Sequence, residues 1–455
     1  MKKIAAILHN KDVLNRIMFT FAIFLIFRIG SAITIPGVTI SDSSFQTNDI
    51  LSLMNMMGGG SLQQFSLFAL GVSPYITSQI IVQLLQTDVL PSLTELSKEG
   101  ESGRHKIEMT TRYLTILLGT VQAYGIIVTM QNSQGLTVAD TSVWGYAKII
   151  IYMLGGTMLL MWLGDQITEK GIGNGISMII FAGIVSALPQ QIISAFQEYL
   201  GQKILTNDAS LILEGSVQLA LYILAFIVII IFVTFVETST RKLPVSHSAS
   251  SASKTSETAQ SSFLPLKINS ASVIPVIFAS SLMMAPSIIV SFIAGSNPPN
   301  WAKQMINVFN YQVLTEMPGV DNTTWYMPWG LIIYLSLIIF FTFFYANLQI
   351  NPEKIAENFQ ESGTYITGLR PGLETQKYIS KVLNRITFIG AMSLAVIAAL
   401  PVVLSLTGAV PSSMSLGGTG LIIVVGVCLE LGNQIDGLLA GNSYQQGVIK
   451  RWVNN

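Results

Sequence analysis

The chain has 455 residues, of which 51% are hydrophobic and only 11% are charged. Soluble globular domains carry about 25% charged residues, so this composition excludes an ordinary soluble protein and indicates a surface that mostly faces lipid. A single cysteine, Cys428, excludes a disulfide framework, and the three histidines are too scattered for metal-ligand spacing.

Ten apolar stretches alternate with polar loops along the chain. A helix needs about 20 residues to cross the hydrocarbon core, and several stretches, notably the second and fifth, are shorter than that. The ten predicted spans cover residues 15–36, 74–92, 113–131, 146–166, 174–190, 212–236, 271–293, 330–350, 383–407 and 418–440.

The basic residues predict how the chain is oriented. Lys2 and Lys3 suggest a cytoplasmic N-terminus, and the cytoplasmic segments then hold 20 of the 24 Lys and Arg residues. The remaining four are Arg28, within the first span, and the outer-loop residues Lys148, Lys203 and Lys303. This bias predicts a cytoplasmic membrane protein with both termini in the cytoplasm, and it supports ten spans. The first span contains Arg28 and lacks a small-residue cleavage site, so we interpret it as retained.

The predicted fold class is an all-α polytopic membrane protein with ten transmembrane helices. Because a five-span repeat must appear in opposite orientations, we expect two inverted five-helix halves with the working site between them near the midplane. We assign residues 1–236 to the N-terminal half, which includes spans 1–5 and the sixth span leading to the next loop. Residues 237–270 form a cytoplasmic loop, and residues 271–455 form the C-terminal half.

Two interruptions stand out. Residues 50–62 are Met-rich, too short to span, and contain Gly58, Gly59 and Gly60, which favours a re-entrant or plug-like segment over helix. A plain interfacial loop is the alternative. In the second interruption, Gly171 to Ser177, either Asn174 or Ser177 could cap the fifth helix.

Three cytoplasmic loops differ in character. Residues 94–112 and 351–385 carry mixed charge and are either docking surfaces or solvated faces. Of the 17 residues at 246–262, 13 are Ser, Thr or Ala, a composition typical of a flexible tether.

Few charges lie inside the spans, which disfavours an ion-coupled solute transporter. Isoleucines recur instead at helical spacing, such as Ile76 with Ile80 and Ile176 with Ile180, so each pair shares one helix face. Spacing alone leaves open whether these residues face lipid, a protein core or a pore.

Nine strings in order along the chain resemble the bacterial SecY family, whose members are the pore subunits of the Sec protein translocon. They are FRIGSAITIPGV (27–38), SLFALGVSPYITSQIIVQLL (66–85), KEGESGRHKI (98–107), MWLGDQITEKGIGNGIS (161–177), LPLKIN (264–269), VIPVIFASS (273–281), NPEKIAEN (351–358), GLRPG (368–372) and GGTGLIIVV (417–425).

The resemblance implies a passive, gated channel that moves unfolded secretory polypeptides across the membrane and membrane proteins laterally into it. It implies a pore ring at the waist of an hourglass, formed by Ile76, Ile80, Ile176, Ile180, Ile277 and Ile423. It also implies a plug at residues 50–62 with Met54, Met56, Met57, Gly58, Gly59 and Gly60.

A lateral gate is expected between spans 2 and 3 on one side and spans 7 and 8 on the other, with polar contacts from Gln79, Gln122, Asn269 and Ser281. Ordinary interhelical hydrogen bonds would equally account for these four residues.

Docking of the ribosome or of a SecA-type ATPase motor is expected at Arg370, whose planar fork suits carboxylate or phosphate. Lys98, Arg104, Lys106 and Lys377 would extend that surface, although positive-inside bias alone could place them. Further partners implied are SecE-like and SecG-like subunits, preproteins with signal sequences, and membrane lipid. We expect no enzyme activity, no cofactor and no metal.

One departure from the family lies at 246–262, where the family's basic loop tip is replaced by a Ser-rich run that has arisen naturally or artificially. This keeps an accessory Sec channel with a restricted substrate set as an alternative, and a secondary solute transporter as a more distant one.

Overall fold

The computed structural model describes residues 10–40, 55, 58–87, 90–132, 136–205, 209–247, 263–294, 299–311, 314–318, 324–406 and 412–453. A helix lies at each of the ten predicted spans. These are α1 (Lys11–Ala32), α2 (Ser73–Gln86), α4 (Glu101–Asn132), α5 (Val143–Lys170), α6 (Gly175–Phe196), α8 (Ala209–Thr238), α9 (Ile274–Ala294), α11 (Trp329–Gln349), α13 (Leu373–Leu406) and α14 (Ser412–Val453). Four shorter helices are α3 (Pro91–Lys98), α7 (Gln202–Leu205), α10 (Asn300–Phe309) and α12 (Pro352–Glu361).

Eight helices among the described residues are long and apolar enough to cross a membrane. The other two of the ten are α2, with 14 residues, and α9, whose apolar part covers Ile274–Val290. The prediction that the fifth span is short is wrong, because α6 has 22 residues and continues directly into a π-helical turn, Gln197–Gly201.

Proline explains the limits of α2. Pro74 lies in its first turn, where the missing backbone N–H costs no hydrogen bond. The helix ends at Gln86, and Pro91 starts the separate helix α3, so the predicted span 74–92 is too long. The chain before α2, from Gly58 to Val72, consists largely of turns. The helix α2 is therefore the second part of a span whose first part is not helical.

Short antiparallel strands join the helices outside the bundle. β1 (Val38–Ile40) pairs with β2 (Leu136–Val138), and β5 (Thr315–Pro318) pairs with β6 (Thr324–Met327). A three-stranded sheet holds β3 (Thr240–His247) between β4 (Phe263–Lys267) and β7 (Thr364–Ile366). The predicted tether begins within β3, at Ser246 and His247, and its residues 248–262 lie outside the described residues.

One large cluster of buried apolar side chains draws on nearly all of the long helices and on the turn segment before α2. In contrast, α8 is apolar on all sides, and only 17% of its most apolar window is buried within the chain. A helix with that pattern faces lipid or another apolar surface over most of its circumference.

Candidate functional site

A cavity of about 540 Å³ lies between α2, α4, α5, α6, α9 and α11. Four of the six predicted ring residues line it: Ile76, Ile176, Ile180 and Ile277. Polar and charged side chains line it as well, namely Gln79, His105, Glu108, Arg112, Asp165, Gln166, Thr168, Glu169, Asn174 and Ser177. The cavity therefore joins a charged region to a group of aliphatic side chains inside the helix bundle.

The first two turns of three helices supply these isoleucines. Ile76 is the fourth residue of α2, Ile277 is the fourth of α9, and Ile176 and Ile180 open α6. Pro74 and Pro275 each lie two residues before the isoleucine of their helix. The beginnings of three helices thus converge on one point in the bundle.

Ile80 and Ile423, the remaining two ring residues, do not line this cavity. Their side chains are 1% and 4% exposed, and they belong to the same buried cluster as Ile76, Ile180 and Ile277. None of the six is among the exposed large hydrophobic residues. The structure therefore places them in the protein interior, and their role as a ring stays a prediction.

The Gly171–Ser177 segment sets the position of α6. Asn174 is the N-cap, because its Oδ1 accepts hydrogen bonds from the backbone N–H groups of Ile176 (3.2 Å) and Ser177 (3.5 Å). The backbone N–H of Ile172 donates to Thr20 Oγ1 of α1, and that of Gly173 donates to Gln434 Oε1 of α14. The turn is thereby tied to helices near both ends of the chain.

Ionic contacts cross the charged region of the cavity. Arg112 of α4 donates to Asp165 of α5 at 2.8 Å and also pairs with Glu108, one turn earlier on its own helix. Both partners of the α4–α5 pair are about one-third exposed, so solvent screens much of the attraction.

The predicted lateral gate corresponds to the packing of α9 against α2 and α4. The tightest approach is at Gly125 of α4, where an added Cβ would lie 2.8 Å from Ile288 Cγ2 and 3.1 Å from the Ile288 carbonyl oxygen. Gln122 of α4 and Ser281 of α9 are buried, and neither Gln122 Oε1 nor Ser281 Oγ has a hydrogen-bond partner within the described part of the chain.

A polar contact between α2 and α11 was not predicted from the sequence. The amide of Gln83 lies close to the hydroxyl of Tyr345. Tyr345 also packs edge-on against Phe278 of α9, with 5.4 Å between ring centroids. The available signal was the four-residue spacing between Gln79 and Gln83, which places both amides on one face of α2.

Asn269 lies elsewhere. Its Nδ2 donates to Glu237 Oε1 at the end of α8 (2.6 Å) and to the Ser272 carbonyl (3.0 Å). It lines a separate cavity of about 230 Å³ with residues of α8, α9 and α14. Asn269 and Glu237 are 1% and 7% exposed, so their bond satisfies two buried polar groups. The role of Asn269 in the lateral gate stays a prediction.

Within the predicted plug, Gly58, Gly59 and Gly60 form a turn, whereas Met54, Met56 and Met57 lie outside the described residues. Gly59 and Gly60 have φ of +69° and +82°, a region that favours glycine. Gly58 and Gly59 are buried.

Among the predicted docking residues, Arg370 lies in the turn before α13, Arg104 and Lys106 lie in the first two turns of α4, and Lys377 lies in the second turn of α13. Arg370, Arg104, Lys106 and Lys377 are exposed, and Lys106 pairs with Glu99 at 3.3 Å. Lys98 is the last residue of α3. Two hydrogen bonds hold the backbone of Arg370. Its N–H donates to Glu374, and its carbonyl accepts from Thr375 Oγ1. Its guanidinium is therefore presented from an ordered turn.

Fold and cavity together define a polytopic α-helical membrane protein whose interrupted helices enclose an internal cavity. The family model of SecY matches residues 66–431, and the chain belongs to the SecY family. It is 42% identical over 439 residues to protein translocase subunit SecY 1 of Lactobacillus kefiranofaciens, covering 96% of each chain. It is 41% identical over 446 residues to protein translocase subunit SecY of Bacillus subtilis, covering 98% of each chain.

Solved structures show the same fold at lower sequence identity. A structure described as that of a protein-conducting channel matches with a TM-score of 0.63 and 18% identity, covering 92% of this chain and 91% of the other. Sec61 in a canine ribosome–channel complex matches with a TM-score of 0.61, 17% identity and the same coverage.

Proposed function

We propose that this chain is the pore-forming subunit of a protein translocase. It conducts unfolded secretory polypeptides across the cytoplasmic membrane and releases membrane segments sideways into lipid. The observation that carries the proposal is the convergence of Ile76, Ile176, Ile180 and Ile277 on one internal cavity in a chain of the SecY family.

An aliphatic constriction suits this task. Ions cannot shed their water cheaply in a narrow apolar passage, so such a passage blocks them by dewetting. The same walls offer a moving polypeptide no hydrogen bonds that would hold one side chain more than another. Ile80 and Ile423 complete the proposed ring from the buried cluster around the cavity.

The proposed architecture has two inverted halves, residues 1–236 and 271–455, with the loop at 237–270 between them and both termini in the cytoplasm. In this arrangement the charged end of the cavity faces the cytoplasm, and the turn at Gly58–Gly60 belongs to a plug on the outer side. Gln79, Gln122 and Ser281 are the proposed polar contacts of the lateral gate.

Energy for transport comes from outside the chain in this proposal, supplied by a SecA-type ATPase or a translating ribosome. Arg370 is the proposed central docking residue, flanked by Lys98, Arg104, Lys106 and Lys377. SecE-like and SecG-like subunits are the proposed membrane partners, and the exposed apolar surface of α8 offers room for such a helix.

The decisive experiment is site-specific crosslinking. Cys428 is first replaced by alanine, and a single cysteine is then introduced at position 277 or 80. A precursor arrested during export should crosslink to either position. A matched cysteine at Ile289, exposed on the same helix α9, should give no adduct. Equal crosslinking at 277 and 289 would contradict the proposed path.

A second candidate is an accessory Sec channel with a narrow substrate set, which the Ser-rich run at 246–262 favours. Membrane vesicles supplied with SecA and ATP separate the two candidates. Export of a general secretory precursor supports the main proposal, whereas export restricted to particular precursors supports the accessory channel.

A further inference from the structure

The turn Gly58–Gly60 is held at a single carbonyl group. Gly59 O accepts a hydrogen bond from Arg28 Nη1 of α1 at 3.4 Å and lies 3.4 Å from Ser186 Oγ of α6, whose hydroxyl also donates to Gly183 O of its own helix at 2.8 Å. Gly59 also lies directly against α6, since an added Cβ would be 2.8 Å from Gly183 Cα. This turn therefore occupies a seat between the first and fifth membrane helices.

The residues that follow are attached far more firmly. Ile35 N–H donates to Phe65 O at 3.1 Å, and Leu67 N–H donates to Ile33 O at 2.9 Å. Phe68 stacks on Phe27 of α1 with ring centroids 5.9 Å apart. Backbone bonds and aromatic packing thus anchor residues 65–68, while long side-chain bonds hold the glycine turn.

Arg28 is otherwise hard to explain. It is an exposed cation inside a membrane helix, four residues before the end of α1, where a charge is costly without a partner. A hydrogen bond to a carbonyl oxygen supplies that partner. Both contacts on Gly59 O are longer than typical hydrogen bonds and therefore weak, so they can break without a large free-energy cost.

We propose that Arg28 and Ser186 are positioning residues that latch the Gly58–Gly60 turn in its seat and so set how readily the plug leaves the pore. The latch rests on the proposed function, because the bound position of the turn corresponds to a closed channel only if the chain is a translocation channel. Releasing it opens the seal without altering the isoleucines of the cavity.

The test measures plug displacement directly. In a Cys428→Ala background, Ser61→Cys places one thiol at a fully buried position beside the turn. A membrane-impermeant maleimide then reports how often this position becomes accessible from the outer side. We expect Arg28→Met to speed labelling about tenfold, since it removes a charged donor, and Ser186→Ala to speed it about threefold. Arg28→Lys, which keeps the charge and a donor, should stay near the parental rate.

Matched controls separate the latch from general effects. Lys148→Met removes another exposed cation from the predicted outer side, and Ser393→Ala removes a serine that bonds only within its own helix, at Ile389 O. Both should label at the parental rate. If Arg28→Met and Ser186→Ala both label at the parental rate, the latch is wrong. Arg28 is then a residue whose guanidinium reaches the lipid headgroups.

A second readout uses a precursor with a defective signal sequence, whose export should rise in the two latch variants. Loss of folding would lower export of every precursor, so a rise cannot come from a damaged protein. Faster labelling without such a rise would uphold the latch and contradict the proposed sealing function, so the two ideas fail separately.

Discussion

Gly175 packs so closely on Gly164 that a Cβ added to Gly175 would lie 1.7 Å from the Gly164 carbonyl oxygen. This contact joins the end of α5 to the start of α6, the helix that carries Ile176 and Ile180 into the cavity. The two backbones can approach this closely only because Gly175 has no side chain in the way.

Gly175→Ala should therefore destabilise the folded protein by roughly 3 kcal/mol, as overpacking of a tight contact does. Thermal unfolding of the purified protein in detergent measures the loss. Gly155→Ala in α5 is the matched control, because its new Cβ would meet no atom within 4 Å. Equal melting temperatures for the two variants would show that the α5–α6 contact can relax freely.

Ile277→Asn should raise the ion conductance of the resting channel at least tenfold in planar bilayers, because an amide in the apolar constriction gives water hydrogen-bonding partners. Ile277→Val keeps the surface apolar and should leave the conductance low. Ile289→Asn makes the same chemical change on the exposed part of α9 and should also leave the channel sealed. Parental conductance in Ile277→Asn would contradict the ring.

Tyr345→Phe removes the hydroxyl that lies close to the Gln83 amide and preserves the ring that packs on Phe278. The α2–α11 contact should then open more easily. We expect insertion of a marginally hydrophobic membrane segment to rise about threefold, the equilibrium effect of losing a polar contact of about 0.7 kcal/mol. Tyr152→Phe, on an exposed position of α5, should insert the same segment at the parental level.

Arg370→Ala should reduce SecA-driven export at least tenfold while leaving the melting temperature and the resting conductance unchanged. The guanidinium is exposed, and the neighbouring turn is held through the backbone of Arg370, so the loop keeps its shape without the side chain. Arg370→Lys should restore only part of the activity, because an ammonium lacks the planar fork. Lys354→Ala, which removes an exposed cation outside the proposed docking set, is the control. An equal export defect in Lys354→Ala would show that Arg370 contributes only its charge.

The approximate positions of the helices at the ten predicted spans follow from the sequence, because an apolar run bounded by charged loops has few alternatives in a bilayer. Pro74 could also have marked the true start of α2 at Ser73. The short α2, by contrast, could not be separated from α3 by hydropathy, since residues up to 92 remain apolar enough to extend the predicted span.

The candidate site was less accessible to sequence reasoning. Isoleucine pairs four residues apart are common in membrane helices, and spacing alone did not distinguish Ile76 with Ile80 from pairs facing lipid. The resemblance to the SecY family selected the six isoleucines. It also suggested Asn269 for the gate, where the structure instead pairs that residue with Glu237 of α8.

The sequence by itself determined the class of the protein, the approximate positions of its main helices, the predicted orientation from its basic residues, and the family. These are properties of single segments, governed by local hydropathy, charge and proline. Only the tertiary structure decided that the first turns of α2, α6 and α9 meet at one cavity, that Gln83 reaches Tyr345, and that Arg28 reaches Gly59. Each of these joins residues on separate helices, and such contacts depend on how the helices pack against one another, which no local pattern in the chain encodes.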